Sequence, residues 1–171
     1  MQTSALQPGD FLPYSQPYID IVGEAELKEL MSKQLNNFPQ FIESLPDEKL
    51  QYAYAEGKWT ILETLVHILD AERVFQYRAL RFARKDDTPL PGFDQDIYVP
   101  SSMANQRTKK DIIEEYKAVR SSSIALFAPL NEEALHRFGT ASGGKMTVAA
   151  LGFMICGHQK HHRNIIRERY L

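Results

Sequence analysis

Apolar residues recur at spacings of three and four along four separate stretches of this chain, and most of its prolines and glycines fall between those stretches. That period belongs to helices with one buried face. The first stretch begins after Gly23 and runs through Leu27, Leu30, Met31, Leu35, Phe38, Phe41, Ile42 and Leu45, with Pro39 expected to kink or end it. A break from Pro46 to Lys58 leads into Thr60-Ile-Leu-Glu63, where hydroxyl and carboxylate can satisfy each other's backbone donors as a capping box. The second helix is predicted from there to Arg84. A weaker start signal, Thr108-Lys-Lys-Asp111, opens a third helix with the face Ile112, Ile113, Tyr116, Val119, Ile124 and Phe127, ending near Pro129. After the turn Gly143-Gly144, Thr147 caps a fourth helix with the stripe Val148, Leu151, Ile155, Ile165 and Ile166. Residues 85–107 carry three prolines and four aspartates and no helical period, so they read as one long crossover loop, a length that is often functional. The prediction is an all-α protein: a four-helix bundle over residues 23–171, preceded by an extended N-terminal arm, 1–22, that holds Pro8, Pro13 and Pro17 and lies on the body.

The 171 residues fit a single domain with a sizeable core. Twenty basic side chains against 22 acidic ones give a net charge of −2, which offers no electrostatic reason to expect a nucleic-acid or anionic-membrane partner. A lone cysteine, Cys156, cannot close an internal disulfide, and the first twenty residues lack the basic start and apolar centre of a signal peptide. A cytoplasmic location is therefore expected. The longest mainly apolar stretch, Met146 to Cys156, is well short of the ~20 residues that span a bilayer.

Chemistry first shows in the fourth helix. Extending its stripe from Leu151 and Ile155 by steps of three and four reaches His158 and His162 before Ile165. Four residues apart, both imidazoles lie on one face and can reach a single ion; the alternative is a pair of core histidines, each bonded to a neighbour. A third imidazole is available in the second helix at His67. At ~100° per residue, however, the apolar arc of that helix centres about 130° from His67, while Glu72 falls inside it. Either His67 leans toward the fourth helix from the edge of the buried arc, or Glu72 is the inward polar group and His67 stands at the rim. A buried Glu72 would need a partner: an arginine, a histidine or a metal. His161 points about 100° from His162 and reads as a rim group, Cys156 about 160° from His158 and is discounted as a ligand. His136, between the third and fourth helices, reads as exposed.

Trp59-Thr60 opening a helix with His67-Ile-Leu-Asp-Ala-Glu-Arg73, followed by a last helix with His158-Gln-Lys-His-His-Arg-Asn-Ile165, resembles the DinB-like, YfiT-related superfamily of bacterial four-helix bundles. The likeness covers most of residues 23–171, including the Pro91-Gly-Phe-Asp-Gln-Asp96 loop. It implies a divalent metal held by His67, His158 and His162, with Glu72 standing behind the ligands. It also implies a homodimer.

Three imidazoles leave an open position on Zn²⁺, and more on Ni²⁺, Fe²⁺ or Mn²⁺, with Zn²⁺ or Ni²⁺ the first expectation; open positions mark catalytic sites. Such an ion can activate water or a thiolate substrate. The resemblance supplies precedent for transferases that use a low-molecular-weight thiol, and this is the activity we expect first, with a small molecule as acceptor. Arg73, Arg78 or Arg163 could hold an acidic thiol. A hydrolase is the alternative and would want a carboxylate as general base, for which Glu72, Asp94 and Asp96 are the candidates. A bundle that uses its metal only as a tie between helices, or that acts by dimerising, is the non-enzymatic reading.

Overall fold

A computed structural model describes all 171 residues. Its elements in chain order are α1 (Gln16–Val22), α2 (Leu27–Glu43), α3 (Ile61–Ala83), α4 (Gln95–Ser101), α5 (Lys109–Phe127), α6 (Glu132–Leu135), β1 (Phe138–Ala141), β2 (Gly144–Thr147) and α7 (Val148–Arg169). The long helices α2, α3, α5 and α7 form a four-helix bundle in which α3 packs on α7 and α5, and α2 on α5 and α7. Helices consecutive in the bundle, α2 with α3 and α5 with α7, thus sit across its diagonals.

Each long helix starts where its local chemistry directs. Thr60 and Glu63 close a reciprocal capping box on α3, Thr108 and Asp111 close another on α5, and Thr147 accepts from the Ala150 amide at the head of α7. At the head of α2 the cap is Glu26, whose carboxylate accepts from the Glu29 amide. Pro39 does not end α2, which continues to Glu43. Only one further turn follows it, so the missing amide costs the helix one bond close to its end.

Three segments differ from the sequence expectation. Where an extended arm was expected, residues Gln16–Val22 form the helix α1, with Pro17 in the first turn, where a proline has no helical partner to lose and its φ is already helical. This helix docks on α7 at Gly157, where a Cβ would stand 1.9 Å from the Tyr18 carbonyl oxygen, so only glycine admits so close a crossing. Within the crossover, Asp94 caps α4, a seven-residue helix. The turn ahead of α7 belongs to a hairpin, with Phe138 paired to Thr147 and Ala141 to Gly144. Its two loop residues, Ser142 and Gly143, both have positive φ, 52° and 80°, as a tight type I′ connection requires. Four-residue strands carry too little alternation to be read from sequence.

The core is divided. One apolar cluster gathers Leu27 and Met31 of α2, Phe75 to Ala83 of α3 and the first half of α7; the other gathers Phe38 to Ile42, Ile61 to Leu69, Ile112, Tyr116 and Ile166. Between them in all four long helices stands a polar residue: Gln34, Glu72, Arg120 and Gln159. Arg120 donates to both oxygens of Glu72 at 2.7 and 2.8 Å, to Gln34 Oε1 at 2.7 Å and to Gln159 Oε1 at 2.8 Å. Ser123 adds a bond to Glu72, and Tyr116 one to Gln159. No helix is long and apolar enough to cross a membrane.

Candidate metal centre

The three histidines expected as ligands meet at one point. His67 comes from the middle of α3, His158 and His162 from successive turns of α7. The Nε2 atoms of His67 and His158 lie 3.0 Å apart, those of His158 and His162 3.1 Å apart, and one ring nitrogen of each falls within 4.8 Å of the others. Aromatic neighbours fix the rings: Trp59 stacks at a tilt 4.7 Å from His67, while Tyr18 and Phe75 meet the ring of His158 edge-on. His67 and His158 are buried and His162 is partly so.

Burial keeps all three imidazoles neutral. It lowers His67 to about 4 and, reinforced by His67 and His161, lowers His162 to about 3. Burial first, then the neighbouring imidazoles, holds His158 well below the usual histidine range. Three neutral nitrogen donors facing one point, with no carboxylate among them, are a donor set that fits a divalent transition metal such as Zn²⁺.

The cluster opens on two cavities. One of about 440 Å³ is lined by His67, His158 and His162 together with Tyr14, Tyr18, Trp59, Phe75, Arg78, Phe93, Gln95 and Ser142. A second of about 330 Å³ shares only Trp59 and His162 with it and brings in Tyr54, Lys58, Thr64 and Asp96. The first lies in the size range of small-molecule sites.

The carboxylates expected as general bases part company here. Glu72 is buried as an inward group, but both its oxygens are taken by Arg120, and it lines neither cavity. The structure therefore does not bring it to the histidines as a base. Asp94 is spent on the cap of α4, its side chain accepting from the Asp96 amide. Asp96 alone among the three stands on a cavity wall shared with a histidine of the cluster.

Of the arginines, Arg73 pairs with Glu115 at 2.6 Å, Arg163 lines a separate groove beside α2, and Arg78 lines the histidine cavity. His161 stands beside the cluster, edge-on to Tyr18 and His162, and exposed His136 ends α6. Cys156 is fully buried, and burial pushes its thiol up to about 12, a state in which it is neither nucleophile nor ligand. Sequence reading passed over Arg120 and Ser123, although the steps Tyr116, Arg120, Ser123, Phe127 keep the helical period and put both on the inward face.

With that geometry in view, the family model of the DinB superfamily matches residues 30–166, which include all three histidines. The chain belongs to the DinB superfamily. A curated relative from Oceanobacillus iheyensis, named "Putative metal-dependent hydrolase OB0413", is 29% identical over 129 residues, covering 74% of this chain and 73% of that protein. Among solved structures, YfiT from Bacillus subtilis, described as a probable metal-dependent hydrolase with an unusual four-helix bundle topology, superposes with a TM-score of 0.69. It is 17% identical and the match covers 95% of this chain and 90% of YfiT, a likeness of fold.

Proposed function

We propose that this DinB protein is a metal-dependent hydrolase of small molecules. The observation that carries the reading is the convergence of three neutral Nε2 donors on one point at the wall of a 440 Å³ cavity. A divalent ion held by three imidazoles keeps a coordination position open and, when bound, supplies the Lewis acidity that activates water and polarises a carbonyl. The chain's own residues do the rest. His67, His158 and His162 offer lone pairs because burial keeps them unprotonated. The rings of Trp59, Tyr18 and Phe75 hold two of the imidazoles in place and keep bulk water from their faces. The Asp96 carboxylate is the one acid on a wall shared with the cluster, through His162, and would serve there as the base for an attacking water.

The relative's name supports hydrolysis, and the comparisons give no support to the thiol transfer that the sequence led us to expect first. A purely structural tie is disfavoured by the open cavity on the donor side. The test is a panel of small esters and amides offered to protein loaded with Zn²⁺, Ni²⁺ or Mn²⁺, with His158→Ala as control. Turnover that requires the metal and disappears in the variant supports the proposal. Equal rates for loaded protein and variant with every metal overturn it.

A further inference from the structure

Arg78 is the cation of the histidine cavity, and no acid in the protein answers it. Its residue is only 3% exposed, and none of the ion pairs of the fold includes it. Only one of its terminal nitrogens is engaged, donating to the Pro91 carbonyl at 3.1 Å and the Ser142 hydroxyl at 2.9 Å, both neutral acceptors. The guanidinium also lies over the Phe93 ring, 5.8 Å from its centre. The donors at Nε and Nη1 have no protein acceptor and the side chain lines the cavity that holds the three histidines. Burying a charge is costly unless something of opposite sign completes it, and a guanidinium matches planar and tetrahedral oxyanions best.

Two parts of the fold outside the four-helix frame hold this arginine in place. Ser142 occupies the hairpin tip in a left-handed conformation, φ 52°, which a serine adopts at some strain and which the surrounding structure must enforce. The Ser142 amide is bonded to the Leu90 carbonyl at 3.2 Å, and Leu90 donates to Thr140, so hairpin and crossover are latched together at the arginine. The buried arginine at the end of this latch contrasts with Arg73, an ordinary half-exposed partner of Glu115.

We propose that Arg78, positioned by Ser142, is the anion-binding group of the site, and that the substrate is a small molecule carrying an oxyanion, carboxylate or phosphate, on an aromatic or apolar body. The body is specified by the rings of Tyr14, Tyr18, Trp59, Phe75 and Phe93 around the same cavity. The reaction attributed to this substrate rests on the hydrolase reading, whereas its binding at Arg78 does not.

The experiment measures binding of benzoate, phenyl phosphate and the neutral isostere benzamide to the Zn²⁺-loaded full chain by ligand-observed NMR, in the native protein and in Arg78→Met and Arg78→Lys. The native protein is expected to bind one of the two anions at least tenfold more tightly than benzamide, and the preferred anion tells carboxylate from phosphate. Arg78→Met removes the preference at unchanged zinc content, and Arg78→Lys retains part of it. Equal affinity for anions and benzamide in the native protein overturns the proposal, whether or not either variant folds. So does an anion preference that survives Arg78→Met but is lost when zinc is stripped, because the anion is then a ligand of the metal. Failure of the hydrolase reading alone would show as anion binding at Arg78 without metal-dependent turnover.

Discussion

Arg120 clamps Glu72 through two parallel hydrogen bonds, 2.7 and 2.8 Å long, at a depth where the residues are 0% and 2% exposed. Burial works against the charge on Arg120, and Glu72 more than compensates, so the guanidinium pKa is raised. The pair lies between two apolar clusters and is tied to all four helices through Gln34, Gln159 and Ser123.

Removing one partner leaves the other buried and charged. Arg120→Met is expected to destabilise the protein by about 3–5 kcal/mol, with Arg120→Met/Glu72→Met recovering much of that loss. Urea denaturation of the single and double variants checks this. A single variant as stable as the native chain would remove the clamp from the account of the fold.

Metal content is expected to depend on the three converging nitrogens and not on their neighbour. His158→Ala is expected to abolish stoichiometric zinc, and His161→Ala to leave it intact, because His161 stands outside the cluster. Elemental analysis of protein purified without a chelating tag decides it. Retained zinc in His158→Ala would leave the cluster without a metal role.

The depressed histidines set a pH dependence for the metal-free protein. In the unfolded chain each titrates near 6.5, whereas in the fold His67 is lowered to about 4 and His162 to about 3. Below 6.5 the unfolded state therefore binds protons that the folded state does not. Stability falls as pH drops from 6.5 toward 4, by at most about 1.4 kcal/mol per unit for each histidine. Thermal melts of the chelated protein between pH 7.5 and 4.5 should show the decline, and replacing His67 and His162 by Gln should make it shallower, leaving the part that the depressed His158 contributes.

Asp94 and Asp96 stand two positions apart, one capping α4 and the other on a cavity wall shared with His162. Asp96→Asn is expected to lower turnover by roughly 10²-fold or more, the usual size of a general-base contribution, with zinc content unchanged. Asp94→Asn keeps a side chain that caps the helix and should leave the rate near native. Steady-state rates on any substrate found in the ester and amide panel separate the two.

Gly157 lets the backbone of α1 touch α7. In Gly157→Ala the new methyl would stand 1.9 Å from the Tyr18 carbonyl, so α1 must move away. The ~1 kcal/mol gained in helix propensity is outweighed by an overpacking cost of about 1–3 kcal/mol or more. Limited proteolysis should cut within residues 1–22 sooner than in the native chain, and the edge-on contact of Tyr18 with His158 should be lost.

The sequence by itself determined what is local. Capping boxes at Thr60 and Thr108, the cap at Thr147 and the three-and-four spacing of apolar residues place the long helices, since these interactions close within one turn or along one face. His158 and His162 share a face for the same reason. Tertiary structure alone decided how α3 divides its inward residues. A helical wheel assigns one buried arc and so sets His67 against Glu72, but α3 packs on two partners, α7 and α5. His67 faces the imidazoles of α7 while Glu72 faces Arg120 of α5, and both are buried. The same holds for Arg78, whose serine partner lies 64 positions away on a hairpin too short to announce itself. Local rules cannot see such pairs, because what brings them together is the packing of elements that are far apart in the chain.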